Sequence, residues 1–203
     1  MTSTRSILLA SLLVAPLVAQ DSGWFVADQL VERKLTRIAY FSQTGSPGQF
    51  AIDYCAPPWK DEYDAQTDKL KGHRERLGKD FWTRLDTSMD LTIGGVKVAA
   101  GDYYLGIGRT QAGDWKLVLY PAPEIRKMHG DGFITNRLPM TLGMEVPLTY
   151  SKVADKAAEL KIELKPDKEK VGNATLALQW GNHQLTAPIV ADVGPPPAAP
   201  AKK

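Results

Sequence analysis

Arg76, Asp80 and Thr83 fall within one short stretch, Glu75-Arg76-Leu77-Gly78-Lys79-Asp80-Phe81-Trp82-Thr83, and are the first residues whose types suggest a site. A cation, a carboxylate and a hydroxyl where a loop enters a hairpin can line the open end of a β-structure and hold a polar ligand. Paired to each other, Arg76 and Asp80 would instead pin the loop, and that ion pair is the favoured reading. His129 and Asp131, two residues apart in Met128-His129-Gly130-Asp131-Gly132, make the best local pair of metal ligands. His73 and His183 stand far from them, and the two-histidine helical spacing of zinc enzymes does not occur. Solvated loop residues are the commoner outcome of such a pair, so no cofactor is predicted.

Other candidates carry less chemistry. Cys55 is the single cysteine and lies among apolar neighbours, with no histidine placed beside it in sequence to make it a nucleophile. Asp61, Glu62 and Asp64 could do acid–base work on glycosides, but clustered carboxylates around Tyr63 read as a hydrated loop. Of the five tryptophans, Trp59 beside Pro57 and Pro58, and Trp82 beside a charged stretch, are the surface candidates for stacking on a sugar. Trp115 and Trp180 follow an inward alternation and are expected in the core. The glycines of "DYYLGIGRTQAGDWKLVLYP" suggest a phosphate loop until the segment after them is read: it alternates as a strand, and no helix N-terminus is there to hold a phosphate. Gly106 and Gly108 then mark places where backbone or ligand approaches a strand closely.

The elements that must position these residues are mostly strands. Phe50, Ile52 and Tyr54 alternate with Ala51, Asp53 and Cys55; the same period of two recurs at Met89–Ile93, Tyr103–Ile107, Trp115–Leu119, Leu160–Leu164, Leu176–Trp180 and Leu185–Ile189. Gly94-Gly95 and Gly181-Asn182 separate alternating runs, as two-residue hairpin turns do. With short connections and no helices of crossover length, the pattern predicts an all-β fold, an antiparallel β-sandwich of jelly-roll-like or Ig-like topology. A short amphipathic helix is expected over residues 24–35, and the charged stretch 61–79 is expected to be a surface insertion.

The 203 residues suit one domain, and a formal net charge of +2 gives no field that would draw nucleic acid. The opening "MTSTRSILLASLLVAPLVAQ" has an arginine, an apolar run broken by Pro16 and a small residue at Ala19, and reads as a signal peptide over residues 1–19. Residues 20–45 would hold the helix and first strand, 46–191 the β-sandwich, and 192–203 a disordered Pro/Ala-rich tail. The expected location is therefore periplasmic or extracellular, with no transmembrane anchor after cleavage.

The segments "SPGQFAIDYCAPPWK", "ERLGKDFWT", "LTIGGVKVAAGDYYLGIG", "DWKLVLYP" and "ATLALQWGNHQLTAPI" resemble, in order and spacing, the exported bacterial proteins grouped as domain of unknown function 2911, over roughly residues 46–189. The Trp-Arg-x-Gly-Ala-Asn-Glu-Ala-Thr box of that family has its counterpart at Glu75–Thr83, where arginine, glycine and threonine persist and the Asn-Glu pair is replaced by Asp80-Phe81. The resemblance implies an exported, mostly β domain and lends no reaction. The functional expectation is a non-catalytic binding or envelope-associated module, for a carbohydrate or envelope component. The alternative is a hydrolase or metal-dependent enzyme, with Arg76, Asp80, His129 and Asp131 converging at one end.

Overall fold

Alternating apolar residues make strands that are dry on one face, and strands of that kind satisfy their backbone groups by pairing with neighbours. In the computed structural model, which describes residues 31–42, 45–130 and 142–194, they do so as one antiparallel sheet. The strands are β1 (Lys34–Ser42), β2 (Gly45–Tyr54), β3 (Arg74–Arg76), β4 (Thr83–Thr87), β5 (Leu91–Ile93), β6 (Val96–Val98), β7 (Gly101–Arg109), β8 (Trp115–Pro121), β9 (Met144–Pro166) and β10 (Asn173–Ala191). Their order is β1-β2-β4-β7-β8-β9-β10-β5-β6, with β3 paired to β7. The antiparallel all-β class expected from the alternation is what the structure shows. A 3-10 helix, Asp61–Leu70, and one short α-helix, α1 (Ala122–Lys127), are the helical elements among the described residues.

β9 links the two ends of this sheet. Its first residues, Met144–Leu148, pair with β8, and residues from Thr149 onward pair with β10. Phe50, Ile52, Leu105, Leu117, Leu119, Ile162, Leu176 and Ile93 come from strands far apart in that order and gather in one buried cluster. A second cluster, Trp82, Tyr104, Val118, Tyr120, Ala122 and Ile125, forms where α1 packs on β7 and β8. Leu117 and Leu119 belong to the first cluster and Val118 and Tyr120 to the second, so β8 is covered on both faces. That is why its sequence, Leu-Val-Leu-Tyr, is apolar without a break.

The glycine pairs have different fates. Gly94-Gly95 makes the expected two-residue turn between β5 and β6, which pair through Ile93 and Val96. Gly181-Asn182 does not turn the chain: both lie inside β10, where the ladder to β9 shifts register on either side of the Gly181–Ala157 pair. The extra residues are on β9, so the site is a bulge, and Gly181 faces it from β10 with a φ of +59°. Gly106 and Gly108 are resolved too. A Cβ at Gly106 would lie 3.0 Å from the Glu75 carbonyl, and one at Gly108 2.9 Å from that of His73, so the close neighbour is the backbone leading into and along β3.

Lys34 and Leu35, at the end of the stretch expected to be helical, are in β1. The rest of that helix up to residue 30, the signal segment 1–19 and tail residues 195–203 lie outside the described residues. No helix among the described residues is long and apolar enough to cross a membrane.

Candidate functional site

The segment between β2 and β3 decides where the sheet leaves a space. After Tyr54 the chain runs through Pro57-Pro58-Trp59 beside β9: Trp59 N–H donates to the Ala158 carbonyl at 2.7 Å, and Leu160 N–H donates to that of Pro57 at 2.9 Å. Two prolines cannot extend a ladder, and the chain instead turns into the 3-10 helix Asp61–Leu70. Beneath this helix, which acts as a roof, lies a cavity of about 460 Å³. Tyr63, Thr67 and Leu70 of the roof line it together with Ile107 of β7, Leu160 of β9, and Leu178 and Leu185 of β10.

Aromatic rings dominate one wall. Trp59 meets Trp180 edge-on with centroids 5.1 Å apart, and Tyr63 stacks on Trp180 at 4.9 Å. Both indole N–H groups are satisfied, Trp59 by the Asp61 carboxylate at 3.0 Å and Trp180 by the Pro57 carbonyl at 3.1 Å. Trp59 in turn rests against Gly181: a Cβ there would lie 2.5 Å from an atom of its ring, and Gly181 has a φ of +59°. Trp115 and Trp180, expected in the core, are half-buried and line the cavity.

The roof is held by charge. Its three aspartates at 61, 64 and 68 each meet a basic side chain on a different strand. Asp61 pairs with Lys156 of β9, Asp64 with His183 of β10 at 2.6 Å, and Asp68 with Arg109 of β7 at 3.0 Å. Arg109 also donates to the Thr67 carbonyl at 3.0 Å and lies 4.9 Å over the Trp115 ring. Lys156 and the Trp59 N–H hold the Asp61 carboxyl below its ordinary value, and Lys71 and Arg109 do the same for Asp68.

His183 joins this system to a phenol. Its Nε2 faces Asp64, and its Nδ1 is 3.0 Å from the Tyr150 hydroxyl. With a neutral imidazole donating to Asp64, Nδ1 accepts the Tyr150 proton, a carboxylate–imidazole–phenol chain capable of moving a proton. His183 lines both the main cavity and a neighbouring one of about 330 Å³, to which Tyr150 belongs.

The residues singled out from the sequence separate. Trp59 and Arg76 line the cavity. Arg76 is not pinned by Asp80: its Nη1 is buried without a hydrogen-bond partner, and no ion pair joins the two residues among those described, Asp80 lying 3.8 Å from Lys79. Burial pulls the Arg76 guanidinium below the usual arginine range, with Asp80 opposing the shift. A buried donor left unpaired costs about 1–3 kcal/mol, and the attraction of Asp80 offsets it without supplying a hydrogen bond. Trp82, expected at the surface, is 3% exposed. It stacks on Tyr104 at 5.3 Å and donates to the Gly130 carbonyl, because α1 covers that face. Thr83 is wholly buried, its hydroxyl donating to the Leu77 carbonyl at 2.7 Å. His129 follows α1 and is absent from the cavity lining, while Asp131 lies outside the described residues. Among the described residues no three His, Cys, Asp or Glu side chains gather as a metal would need.

Asp64 and His183 are each visible in the sequence as titratable residues, but their grouping with Tyr150 is not, because 86 positions, from 64 to 150, separate the first two members in chain order and no motif joins them. A family model described as "Protein of unknown function (DUF2911)" matches residues 39–189. The chain belongs to this family. Comparison with curated proteins and with solved structures returned no match. The DUF2911 match runs from β1 into β10 and contains every residue that lines the cavity.

Two expectations follow. Replacing Gly181 by Ala strains a positive φ and drives a methyl into the Trp59 ring, so it should lower stability by about 1–3 kcal/mol in urea unfolding; a loss under about 0.5 kcal/mol would mean the indole gives way freely. The second concerns acid. Carboxyls held below the ordinary aspartate value of about 3.9 stabilise the tied roof above that pH and lose this contribution as pH falls through their lowered values. Below about pH 4, pepsin should therefore cut within residues 61–70 before the near-UV circular dichroism of the core is lost. Cuts spread evenly over the chain would show that the roof does not loosen separately.

Proposed function

We propose that this DUF2911 protein is a binding module that takes a small, largely apolar ligand into the cavity beneath the 3-10 roof. The observation that carries this is the cavity itself: about 460 Å³, walled by Trp59, Trp115, Trp180, Tyr63 and aliphatic side chains. Small-molecule sites are of this kind, about 300–1,000 Å³, mainly apolar, with a few polar groups. A carbohydrate fits less well, since Trp82 is enclosed by α1 and the lining offers few groups to match sugar hydroxyls. Export, supported by the leader-like residues 1–19, would put the module in the periplasm or outside the cell, in an envelope-associated role.

Titration with the neutral fluorophore N-phenyl-1-naphthylamine tests the proposal. Saturable one-to-one uptake with quenching of tryptophan emission is expected. Ile107→Trp, which fills the cavity from β7, should weaken uptake by about tenfold or more. Uptake that is non-saturable, or untouched by Ile107→Trp, would remove the cavity as a binding site.

A second reading, a hydrolase, draws on the Asp64–His183–Tyr150 chain at the cavity's edge. It requires that 4-nitrophenyl ester turnover by the purified protein fall by about a hundredfold in both His183→Ala and Tyr150→Phe. Turnover unaffected by either change rejects it.

A further inference from the structure

We infer that the ligand of this cavity is an amphipathic anion, an apolar body ending in a carboxylate, and that Arg76 and Lys69 receive its charged end. The inference rests on the cavity reading above and deepens it.

The basic side chains around the roof fall into two sets. Lys156, Lys152, His183, Arg109 and Lys71 all face roof aspartates and are occupied in holding it. Lys69 and Arg76 also line the cavity, yet among the described residues neither has an ion pair or a hydrogen bond from its side chain. The one carboxylate in the lining is Glu75, against the two cations Lys69 and Arg76, which leaves a positive charge in excess. The remaining lining is overwhelmingly carbon.

A half-buried guanidinium left unpaired in such surroundings, as Arg76 is, is unfavourable for the fold and favourable for a ligand that completes it, while the exposed Lys69 bears no such cost. Arg76 carries the clearer signal, because one of its nitrogens is sealed from water with nothing to donate to. A guanidinium presents a planar edge that matches a carboxylate's two oxygens, and Lys69 adds a point charge from the roof. An alcohol or hydrocarbon of the same length would fill the cavity and leave both cations as they are.

The test displaces bound N-phenyl-1-naphthylamine with decanoate or decan-1-ol, two ligands of one length that differ in charge. Wild-type protein should release the fluorophore at about tenfold lower decanoate than decanol, and Arg76→Met should abolish the difference. The fluorophore titration of each variant reports whether the cavity still forms. If Arg76→Met does not fold, Lys69→Met decides, with a reduction of the decanoate advantage by about threefold expected. A structural counterpart separates the role further: an arginine kept for a ligand gives an Arg76→Met variant that melts no lower than wild type, whereas one that holds the fold gives a lower melting temperature. Equal displacement by both ligands in wild type, or an advantage that survives both substitutions, overturns the anion assignment and leaves the cavity standing. Failure of wild type to take up the fluorophore overturns the cavity instead.

Discussion

The contact between Trp59 and Gly181 is the constraint on which the cavity depends. At Gly181 the β9–β10 ladder shifts register, and its bare Cα leaves room for an indole to lie against the strand. With Trp59 seated there, the segment from Pro57 to Trp59 is stitched to β9 by backbone bonds and to β10 by the Trp180 N–H. The roof starts two residues later, at Asp61, whose carboxylate accepts from the same indole. A side chain at position 181 would displace the ring, and with it the start of the roof and the aromatic wall.

The molecule thus joins two parts of unequal strength. The sheet is held by long ladders and by a core in which residues such as Phe50, Leu105 and Leu119 are fully buried. The roof is held by exposed ion pairs, each worth about 0–1 kcal/mol, and by ring contacts. Local opening draws on the weakest attachments, so the roof is where the structure gives access to its interior at least cost. Arg76 and Lys69 lie at that boundary, one on β3 and one on the roof.

Much of the sheet was legible because period-two alternation reports which face of a strand is dry. Phe50, Ile52, Leu105, Leu117, Leu160, Leu176 and Ile189 are all buried as the pattern predicted. What alternation does not report is where facing side chains fail to meet. Trp115 and Trp180 obey it and still border a cavity. Gly181 shows a second limit, since a glycine of positive φ can sit opposite a bulge, as here, or in a hairpin turn, and only the partner strand tells the two apart. Trp82 shows a third: its burial depends on α1, six residues that begin with alanine and proline and give no helical period long enough to read. Residues 61–79 read as a hydrated insertion because the charges of Asp61, Asp64 and Asp68 are visible in sequence, and their partners on β7, β9 and β10 are not.

The manner in which the roof is attached bears on how such a protein can diversify. Residues 61–70 take no part in the β-ladders and contribute Tyr63, Thr67, Lys69 and Leu70 to the lining. Insertions, deletions and substitutions in this segment are therefore filtered by ligand fit more than by foldability, while changes in β7 or β10 are filtered by both. One inherited scaffold can in this way acquire new ligand preferences by variation in a single exchangeable segment, with the tryptophan before it and the glycine beneath it retained as the hinge points of that variation.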